Sequence, residues 1–446
     1  MGVLGCLLPL RADAPAAGSA AAASVSAAPP APTPAPAGPG LQPGDLVGIC
    51  GDSITEQKLY SVAMADYLVM CQPQPKLSAI QFGWAGEKAP AFLQRMKNDA
   101  LFFHPTVATA FYGMNDGGYT AVAPATLDTY RQAMTGIVET LKAGGVHFIV
   151  VGSPGVVDTY YYKHPGATAA VYNHTLEELA KVAHQVADKE GVGFADVHAA
   201  MMKTMLKAKA INGSKFCVAG PDGIHPLPAG HIIIAYAFLK ALGCDGDIGT
   251  VTVDLKADTA QATGGTKVLS CAKGDVFLQS TRYPFCFFGD LKDPSGTRAI
   301  LPFLPFNQDL NRYMLVVKNA PAKALRVTWG AGSKVFTAAA LEKGVNLADV
   351  FWQNPFSGPF NVVQQKIAEQ QAFETVASKQ MLHSIPVWTS AMPDLQDVLA
   401  PLPPKVLAKW QQLRDATSAA VVPVNHEIKI EPAPETAKTA AGPSST

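Results

Sequence analysis

Between residues 44 and 246, short uninterrupted apolar segments alternate with longer segments whose apolar residues have helical spacing. An apolar run without polar alternation is typical of a strand buried on both faces, as in a parallel sheet covered by crossover helices. Such runs predict strands at residues 46–50, 77–82, 106–111, 146–151 and 192–197. The other segments predict helices at residues 60–70, 90–101, 124–143, 168–190 and 228–242. The pattern predicts an α/β sandwich with a parallel sheet over residues 44–246.

The pattern changes after residue 246. Shorter strand-like segments occupy residues 250–255, 267–271, 275–278, 313–317 and 324–329. The last two flank a turn-like Asn319-Ala320-Pro321-Ala322, and we expect them to form a hairpin-like pair. Helical spacing covers residues 336–351, 362–381 and 399–415. The pattern predicts a β-rich accessory module over residues 247–430, with C-terminal helices that could pack back on the first domain.

The two ends of the chain differ from the rest. Residues 2–10 are apolar and precede Ala12-Asp13-Ala14, which has the small-x-small form of a signal-peptidase site, so residues 1–14 are predicted to be a signal segment. A loose lipobox ending at Cys6 is the alternative. The Ala/Pro-rich residues 15–43 predict a disordered linker, and residues 431–446 a disordered tail. We therefore expect a secreted or periplasmic protein, which could be anchored at the cell surface.

Composition excludes several classes of protein. The 446 residues contain 35 Lys and Arg and 35 Asp and Glu, and this neutral balance argues against a broad nucleic-acid interface. No integral membrane span is expected, because the apolar run at residues 2–10 is far shorter than the about 20 residues needed. The 7 cysteines include no Cys-x-x-Cys motif, so a zinc ribbon is unsupported. Cys50 is expected to be a buried free thiol, whereas Cys271 and Cys286 could form a local disulfide bond.

Ser53 directly follows the first predicted strand, in Gly51-Asp52-Ser53-Ile54-Thr55. Ligands of open α/β sheets bind beyond the carboxyl ends of the strands, so this serine is well placed to be an exposed nucleophile. The alternative is an N-cap serine that opens the following helix.

A serine nucleophile needs a base, and the base needs a partner that fixes its tautomer. Asp222-Gly223-Ile224-His225 precedes the last predicted helix of the domain, where Asp222 could reach one ring nitrogen of His225 while the other faces Ser53. His231 is the competing base. A metal site made of Asp222, His225 and His231 is the less favoured alternative, because no further ligand is apparent.

Acyl transfer also needs hydrogen-bond donors for the developing oxyanion. Gly86 follows the second predicted strand, and Asn115 follows the third within Gly113-Met114-Asn115-Asp116. A glycine lets a backbone N–H approach a ligand closely, and an asparagine amide can donate from its side chain. Either residue alone is more often an ordinary turn residue.

Ser53, Gly86, Asn115 and His225 occur in the order and at the strand ends typical of the SGNH (GDSL-type) serine hydrolases, which the chain resembles over residues 44–246. The resemblance implies a flavodoxin-like three-layer α/β/α sandwich. It also implies a catalytic triad with Ser53 as nucleophile, His225 as base and then acid, and Asp222 as its orienting partner. The implied oxyanion hole consists of the Ser53 N–H, the Gly86 N–H and the Asn115 side chain. Ile54 stands where the family motif has leucine, and residues 306–312 loosely resemble extensions of secreted bacterial members.

The resemblance implies a serine esterase that cleaves carboxylic esters through an acyl-enzyme, with no cofactor and no metal ion. Short acyl groups on carbohydrate, as a small molecule or a polysaccharide, are the first expected substrates. Lipase, lysophospholipase-like and thioesterase activities are alternatives, as is a non-catalytic surface or glycan-binding protein on a hydrolase scaffold. Trp84 and Tyr160-Tyr161-Tyr162 could form an aromatic wall for a sugar or an acyl chain.

Overall fold

The computed structural model describes residues 40–434, which all lie within one compact unit. The strands of its first sheet are β1 (Leu46–Gly51), β2 (Ser78–Gln81), β3 (Val107–Phe111), β4 (Phe148–Gly152) and β5 (Gly193–Ala195). All are parallel, in the order β2-β1-β3-β4-β5. Every residue of β1 to β4 is buried, as expected for a sheet covered on both faces. The predicted parallel α/β sandwich is confirmed.

The helices of this part connect or follow the strands. They are α1 (Ser53–Glu56), α2 (Tyr60–Asp66), α3 (Ala89–Asp99), α4 (Pro124–Ala143), α5 (Ala169–Glu190), α6 (Val197–Asn212) and α7 (Pro228–Ala241). A π-helical segment, Tyr67–Cys71, continues α2. The predicted strand at residues 192–197 is too long, and α6 was not predicted. The side chain of Asp196 accepts a hydrogen bond from the Ala199 N–H and caps α6, so Val197 begins a helix rather than ending a strand.

Two further sheets and seven helices follow within the described residues. Their strands are β6 (Asp247–Asp254), β7 (Thr259–Ala262), β8 (Thr266–Ala272), β9 (Asp275–Ser280), β10 (Arg312–Lys318), β11 (Ala324–Trp329), β12 (Gly332–Thr337), β13 (Val345–Asn346) and β14 (Val424–Pro432). One sheet has the order β13-β10-β6-β7 and the other β12-β11-β14-β9-β8. The helices are α8 (Phe306–Leu310), α9 (Ala338–Lys343), α10 (Leu347–Val350), α11 (Ser357–Val376), α12 (Ile385–Ala391), α13 (Leu395–Leu399) and α14 (Leu402–Ala420), and a π-helical segment, Ala377–Leu382, continues α11. The expected β-rich part with C-terminal helices is confirmed, while a domain boundary at residue 246 stays a prediction.

Two predictions for this part are wrong. The expected hairpin of β10 and β11 does not form, because β10 pairs with β6 and β13 whereas β11 pairs with β12 and β14 in the other sheet. Each strand therefore has both edges occupied. The expected helix at residues 336–351 is divided into α9, β13 and α10. Gly344 ends α9 with a φ of +100°, a conformation that no helix can continue.

The predicted signal segment and linker residues 1–39 lie outside the described residues. The predicted tail begins too early, because Glu431 and Pro432 belong to β14 and pair with β11; residues 435–446 lie outside the description. The possible bridge between Cys271 and Cys286 does not form, since both are free thiols, as are Cys71, Cys217 and Cys244, and Cys50 is a buried free thiol as expected. Within residues 40–434, no helix is both long and apolar enough to cross a membrane.

Helix α11 covers the outer edge of β2. An edge strand presents unpaired N–H and C=O groups, which native proteins pair or cover. Here the Gln81 N–H donates to Glu374 Oε2 at 2.9 Å, and Gln370 Nε2 donates to the Ala79 carbonyl at 3.0 Å. Trp410 Nε1 of α14 donates to the same Glu374 carboxylate at 3.0 Å. The C-terminal helices thus pair with backbone groups at the β2 edge of the first sheet.

We expect Glu374→Ala to lower the free energy of unfolding by roughly 2–5 kcal/mol, measured by urea denaturation. The substitution leaves the Gln81 N–H and the Trp410 indole N–H buried without acceptors, and each such group costs about 1–3 kcal/mol. Glu369→Ala on the same helix is the matched control, because it removes an exposed ion pair with Lys366 worth at most about 1 kcal/mol. Equal effects of the two substitutions would contradict this role of Glu374.

Candidate active site

Ser53 stands where β1 runs into α1. Asp52 caps this helix by accepting a hydrogen bond from the Ile54 N–H at 2.9 Å, so the suggestion that Ser53 is the N-cap is wrong. Ser53 is instead the first helical residue, and its N–H has no acceptor within the helix. Its side chain is half-buried and lines an open cleft of about 620 Å³.

The structure links Ser53, His225 and Asp222 through two hydrogen bonds. Ser53 Oγ lies 2.8 Å from His225 Nε2, and His225 Nδ1 lies 2.6 Å from Asp222 Oδ2. A carboxylate only accepts, so Nδ1 carries the ring proton and leaves Nε2 of the neutral imidazole as the acceptor for the serine hydroxyl. The predicted nucleophile, base and orienting residue are brought together.

The turn before α7 fixes this geometry. Asp222 Oδ1 accepts from the backbone N–H groups of Ile224 and His225, both at 2.9 Å, so one carboxylate holds both the backbone and the ring of His225. Burial raises the pKa of Asp222, but its hydrogen bonds from His225 and Ile224 outweigh this and lower it below the ordinary value. Gly220 is required nearby, because a Cβ on it would lie 1.8 Å from the His225 carbonyl oxygen.

The competing histidine, His231, is buried in α7 and is not linked to Ser53. Its Nδ1 accepts from the Tyr60 N–H at 3.2 Å and its Nε2 lies 3.0 Å from Gln57 Oε1. Burial lowers the pKa of His231 to about 3, which keeps it neutral. Its ring nitrogens are therefore not available to a shared metal site with Asp222 and His225, and no group of three metal-ligating side chains occurs among residues 40–434.

Asn115 is held next to the segment that carries Gly86. Its Nδ2 donates to the Glu87 carbonyl at 3.0 Å and lies 3.4 Å from Asp52 Oδ2, a longer and weaker contact. Gly86 has a φ of +73° and open space on the side where a Cβ would stand. The two predicted oxyanion residues thus lie beside each other and beside the residue preceding Ser53.

Tyr119 was missed by sequence reasoning. Its hydroxyl donates to Asn115 Oδ1 at 2.8 Å, which turns the Asn115 Nδ2 group towards Glu87 and Asp52. Nothing in the spacing of Asn115 and Tyr119 marks this contact, because Tyr119 reaches back from a loop in which its own φ is +58°.

The segment that carries Gly86 is anchored on both sides of this glycine. Glu87 pairs with Arg95 of α3, where Arg95 Nη2 donates to Glu87 Oε2 at 2.7 Å, and both side chains are buried. Glu56, which lines the cleft, accepts from the Ala85 N–H and from Lys379 Nζ, the latter at 2.7 Å. Lys379, from the C-terminal part of the chain, therefore contacts a residue of the cleft wall without lining the cleft itself.

The expected aromatic wall is absent from the lining of the Ser53 cleft. Trp84 instead packs against the guanidinium of Arg95 at 4.8 Å and the ammonium of Lys379 at 4.7 Å. Tyr160 and Tyr161 lie near the ammonium of Lys209. The cleft is lined by Ser53, Glu56, Gln57, Leu59, Ala85, Pro221, Asp222, His225, Pro226, Leu227 and Pro228.

A serine, a histidine and an aspartate linked in this order beside a parallel sheet form the arrangement of a serine hydrolase. Residues 49–233 match the GDSL-like lipase/acylhydrolase family, and this range includes Ser53, Gly86, Asn115, Asp222 and His225. The chain therefore contains a domain of that family and is a hydrolase that acts on ester bonds. A comparison with curated proteins finds no match.

Several solved structures of other proteins are similar to this chain. That of a gut microbial diltiazem-metabolizing enzyme is similar over 88% of this chain and 98% of its own, with 19% identity and a TM-score of 0.68. A catalytic mutant of Axe2, an acetylxylan esterase from Geobacillus stearothermophilus, is similar over 46% of this chain and 96% of its own, with 21% identity and a TM-score of 0.37. An alpha/beta hydrolase from the metagenome of Lake Arreo, Spain, covers 46% of this chain and 97% of its own, with 20% identity and a TM-score of 0.37. The similarity to the diltiazem-metabolizing enzyme extends past residue 246, so that structure shares the fold of both parts of this chain.

We expect Tyr119→Phe to lower kcat for ester hydrolysis by roughly fivefold to tenfold and to leave KM nearly unchanged. The loss of one hydrogen bond worth about 1 kcal/mol lets the Asn115 amide leave its orientation. Steady-state kinetics check this, with Tyr161→Phe as the control, because the Tyr161 hydroxyl donates to the Lys215 carbonyl on the surface. An unchanged kcat in Tyr119→Phe would show that Tyr119 does not orient the amide.

Proposed function

We propose that this hydrolase is a serine esterase that cleaves short-chain acyl esters through a covalent acyl-enzyme. The observation that carries the proposal is the chain of two hydrogen bonds, 2.8 Å from Ser53 Oγ to His225 Nε2 and 2.6 Å from His225 Nδ1 to Asp222 Oδ2. The Ser53 side chain is reachable from the cleft, and all three groups line that cleft.

In the proposed reaction, His225 Nε2 takes the hydroxyl proton of Ser53 as Oγ attacks the ester carbonyl carbon. The resulting imidazolium is stabilised by the Asp222 carboxylate, whose lowered pKa keeps it ionised. His225 then gives the proton to the leaving alkoxide, and the alcohol departs from the acyl-enzyme. A water molecule repeats the sequence, releases the carboxylic acid and restores Ser53.

The proposed oxyanion donors are the Ser53 N–H, the Gly86 N–H and one N–H of the Asn115 amide. Support comes from the helix-start position of Ser53, the open face of Gly86 and the weak 3.4 Å contact that the second Asn115 N–H makes with Asp52. Removing one such donor typically costs about 10²–10³ in kcat.

O-acylated carbohydrates are the substrates that we propose first, and aryl or lipid esters and thioesters second. The openness of the cleft supports an alcohol that extends into solvent, as a sugar or polysaccharide would. A non-catalytic surface or glycan-binding role is the alternative, and the activity and probe labelling of the wild-type protein and Ser53→Ala distinguish the two roles.

Ser53→Ala is expected to lower kcat/KM for p-nitrophenyl acetate by at least about 10³-fold while the urea unfolding curve stays unchanged, since the nucleophile is lost and no packing is. The exposed Ser295→Ala is the matched control and should keep full activity. A fluorophosphonate probe should label the wild-type protein at Ser53 and leave Ser53→Ala unlabelled.

Acetylated xylo-oligosaccharide, p-nitrophenyl acetate, a lysophospholipid and an acetyl thioester, compared in one assay series, rank the substrate classes. Failure of the wild-type protein on every one of them, together with no probe labelling, would favour the non-catalytic role.

We also propose that the enzyme acts outside the cytoplasm, on the support of the sequence of residues 1–14 alone. Protein recovered from the periplasm or medium of an expressing bacterium should then lack these residues by N-terminal sequencing. An intact N-terminus on protein confined to the cytoplasm would contradict this.

A further inference from the structure

A second pocket adjoins the Ser53 cleft, and we call it the side pocket. Its volume is about 230 Å³, and it shares two wall residues, Leu59 and Pro228, with the cleft. No described residue after residue 246 lines the cleft itself. The side pocket, by contrast, has six such residues in its wall: Phe285, Cys286, Phe288, Thr297, Gln364 and Ala368. It is therefore built by both parts of the chain and adjoins the cleft that Ser53 lines.

The remaining wall of the side pocket is mainly apolar. Val62 and Ala63 of α2 and Ile232 of α7 line it together with the two phenylalanines. Two of the apolar residues at its rim, Leu59 and Phe288, are 38% and 48% exposed. Large apolar side chains that are exposed together beside a cleft are typical of a surface that binds an apolar group.

The polar side chains of the wall are already bonded to the protein. The bonds are Lys58 Nζ to the Glu56 carbonyl, His231 to the Tyr60 N–H and Gln57, Thr297 Oγ1 to the Phe288 backbone, Gln364 Nε2 to Asp66 and Cys286 Sγ to the Pro284 carbonyl. Although the Lys58 ammonium has more donors than this one bond uses, each polar group of the wall already has a protein partner, and a polar ligand would exchange its hydrogen bonds to water for competition with these partners. The wall therefore favours an apolar occupant.

We propose that the side pocket binds an apolar group of the ester while the carbonyl carbon stands at Ser53. A cavity of about 150 Å³ lined by apolar side chains is known to hold one benzene molecule. The side pocket thus has room for one aromatic ring or for an alkyl chain of similar volume. This rests on the proposed esterase function and adds a selectivity that the C-terminal part of the chain supplies.

Chain length is the variable that tests this, since each methylene transferred from water is worth about a fourfold gain in kcat/KM. One series is ethyl acetate, ethyl butanoate and ethyl hexanoate, in which only the acyl group grows. The other is ethyl, butyl and hexyl acetate, in which only the alcohol grows. The series in which kcat/KM rises identifies which side of the ester enters the side pocket.

Ala368→Phe should abolish the gain by filling the side pocket from α11, so that kcat/KM no longer rises along the series. Phe288→Ala removes part of the apolar wall and should lower the gain as well. Ala372→Phe is the matched control, because Ala372 is exposed on the same helix and lines neither cavity. Both target positions are exposed, so the folded state should tolerate the changes.

The proposal is overturned if neither series shows a gain with chain length in the wild-type protein, or if Ala368→Phe affects short and long esters equally. Failure of the esterase function itself would look different, because the wild-type protein would then hydrolyse no member of either series.

Discussion

The geometry behind the cleft depends on a carboxylate and a guanidinium that are buried together, Glu87 and Arg95. Burying two charges costs solvation free energy, which is offset only where their remaining donors and acceptors are also satisfied. Arg95 accordingly donates to the Phe82 carbonyl just after β2, and Glu87 accepts from the Tyr112 hydroxyl just after β3. These bonds fix the backbone on both sides of Gly86, and the Glu87 carbonyl in turn holds Asn115. The position of the proposed oxyanion donors is thus set by charges that lie outside the cleft lining.

The need to satisfy buried polar groups also joins the C-terminal helices to residues 44–246. The buried Glu374 carboxylate accepts a hydrogen bond from the Gln81 N–H of β2, and burial raises the pKa of Glu374 to about 7 against the opposing effect of its hydrogen bonds. Lys379 reaches the carboxylate of Glu56 from the adjoining π-helical segment. Both contacts replace water that would otherwise solvate the sheet edge and the segment before Gly86. The second part of the chain is therefore structural support for the site as well as a wall of the side pocket.

The sequence predicted what depends on local pattern. The uninterrupted apolar runs located β1 to β4, and the order of Ser53, Gly86, Asn115 and His225 located the site, because each follows a strand or precedes a helix. Strand pairing after residue 246 was not predictable in this way, since β14 pairs with β9 across about 150 residues of chain and no local pattern specifies such a partner. Likewise, the contact of Tyr119 with Asn115 arises from a loop conformation, and the side pocket is lined by residues from before and after residue 246, which no local pattern brings together.

The central position of β14 has a consequence for the order in which the molecule is made. This strand lies between β9 and β11, so both of those strands keep an open edge until the ribosome has released residues 424–432. Open edges are templates for pairing with other chains. From the synthesis of β11 until that of β14, the nascent protein therefore carries two unpaired strand edges, and shielding of these edges during that interval favours folding over association with other chains.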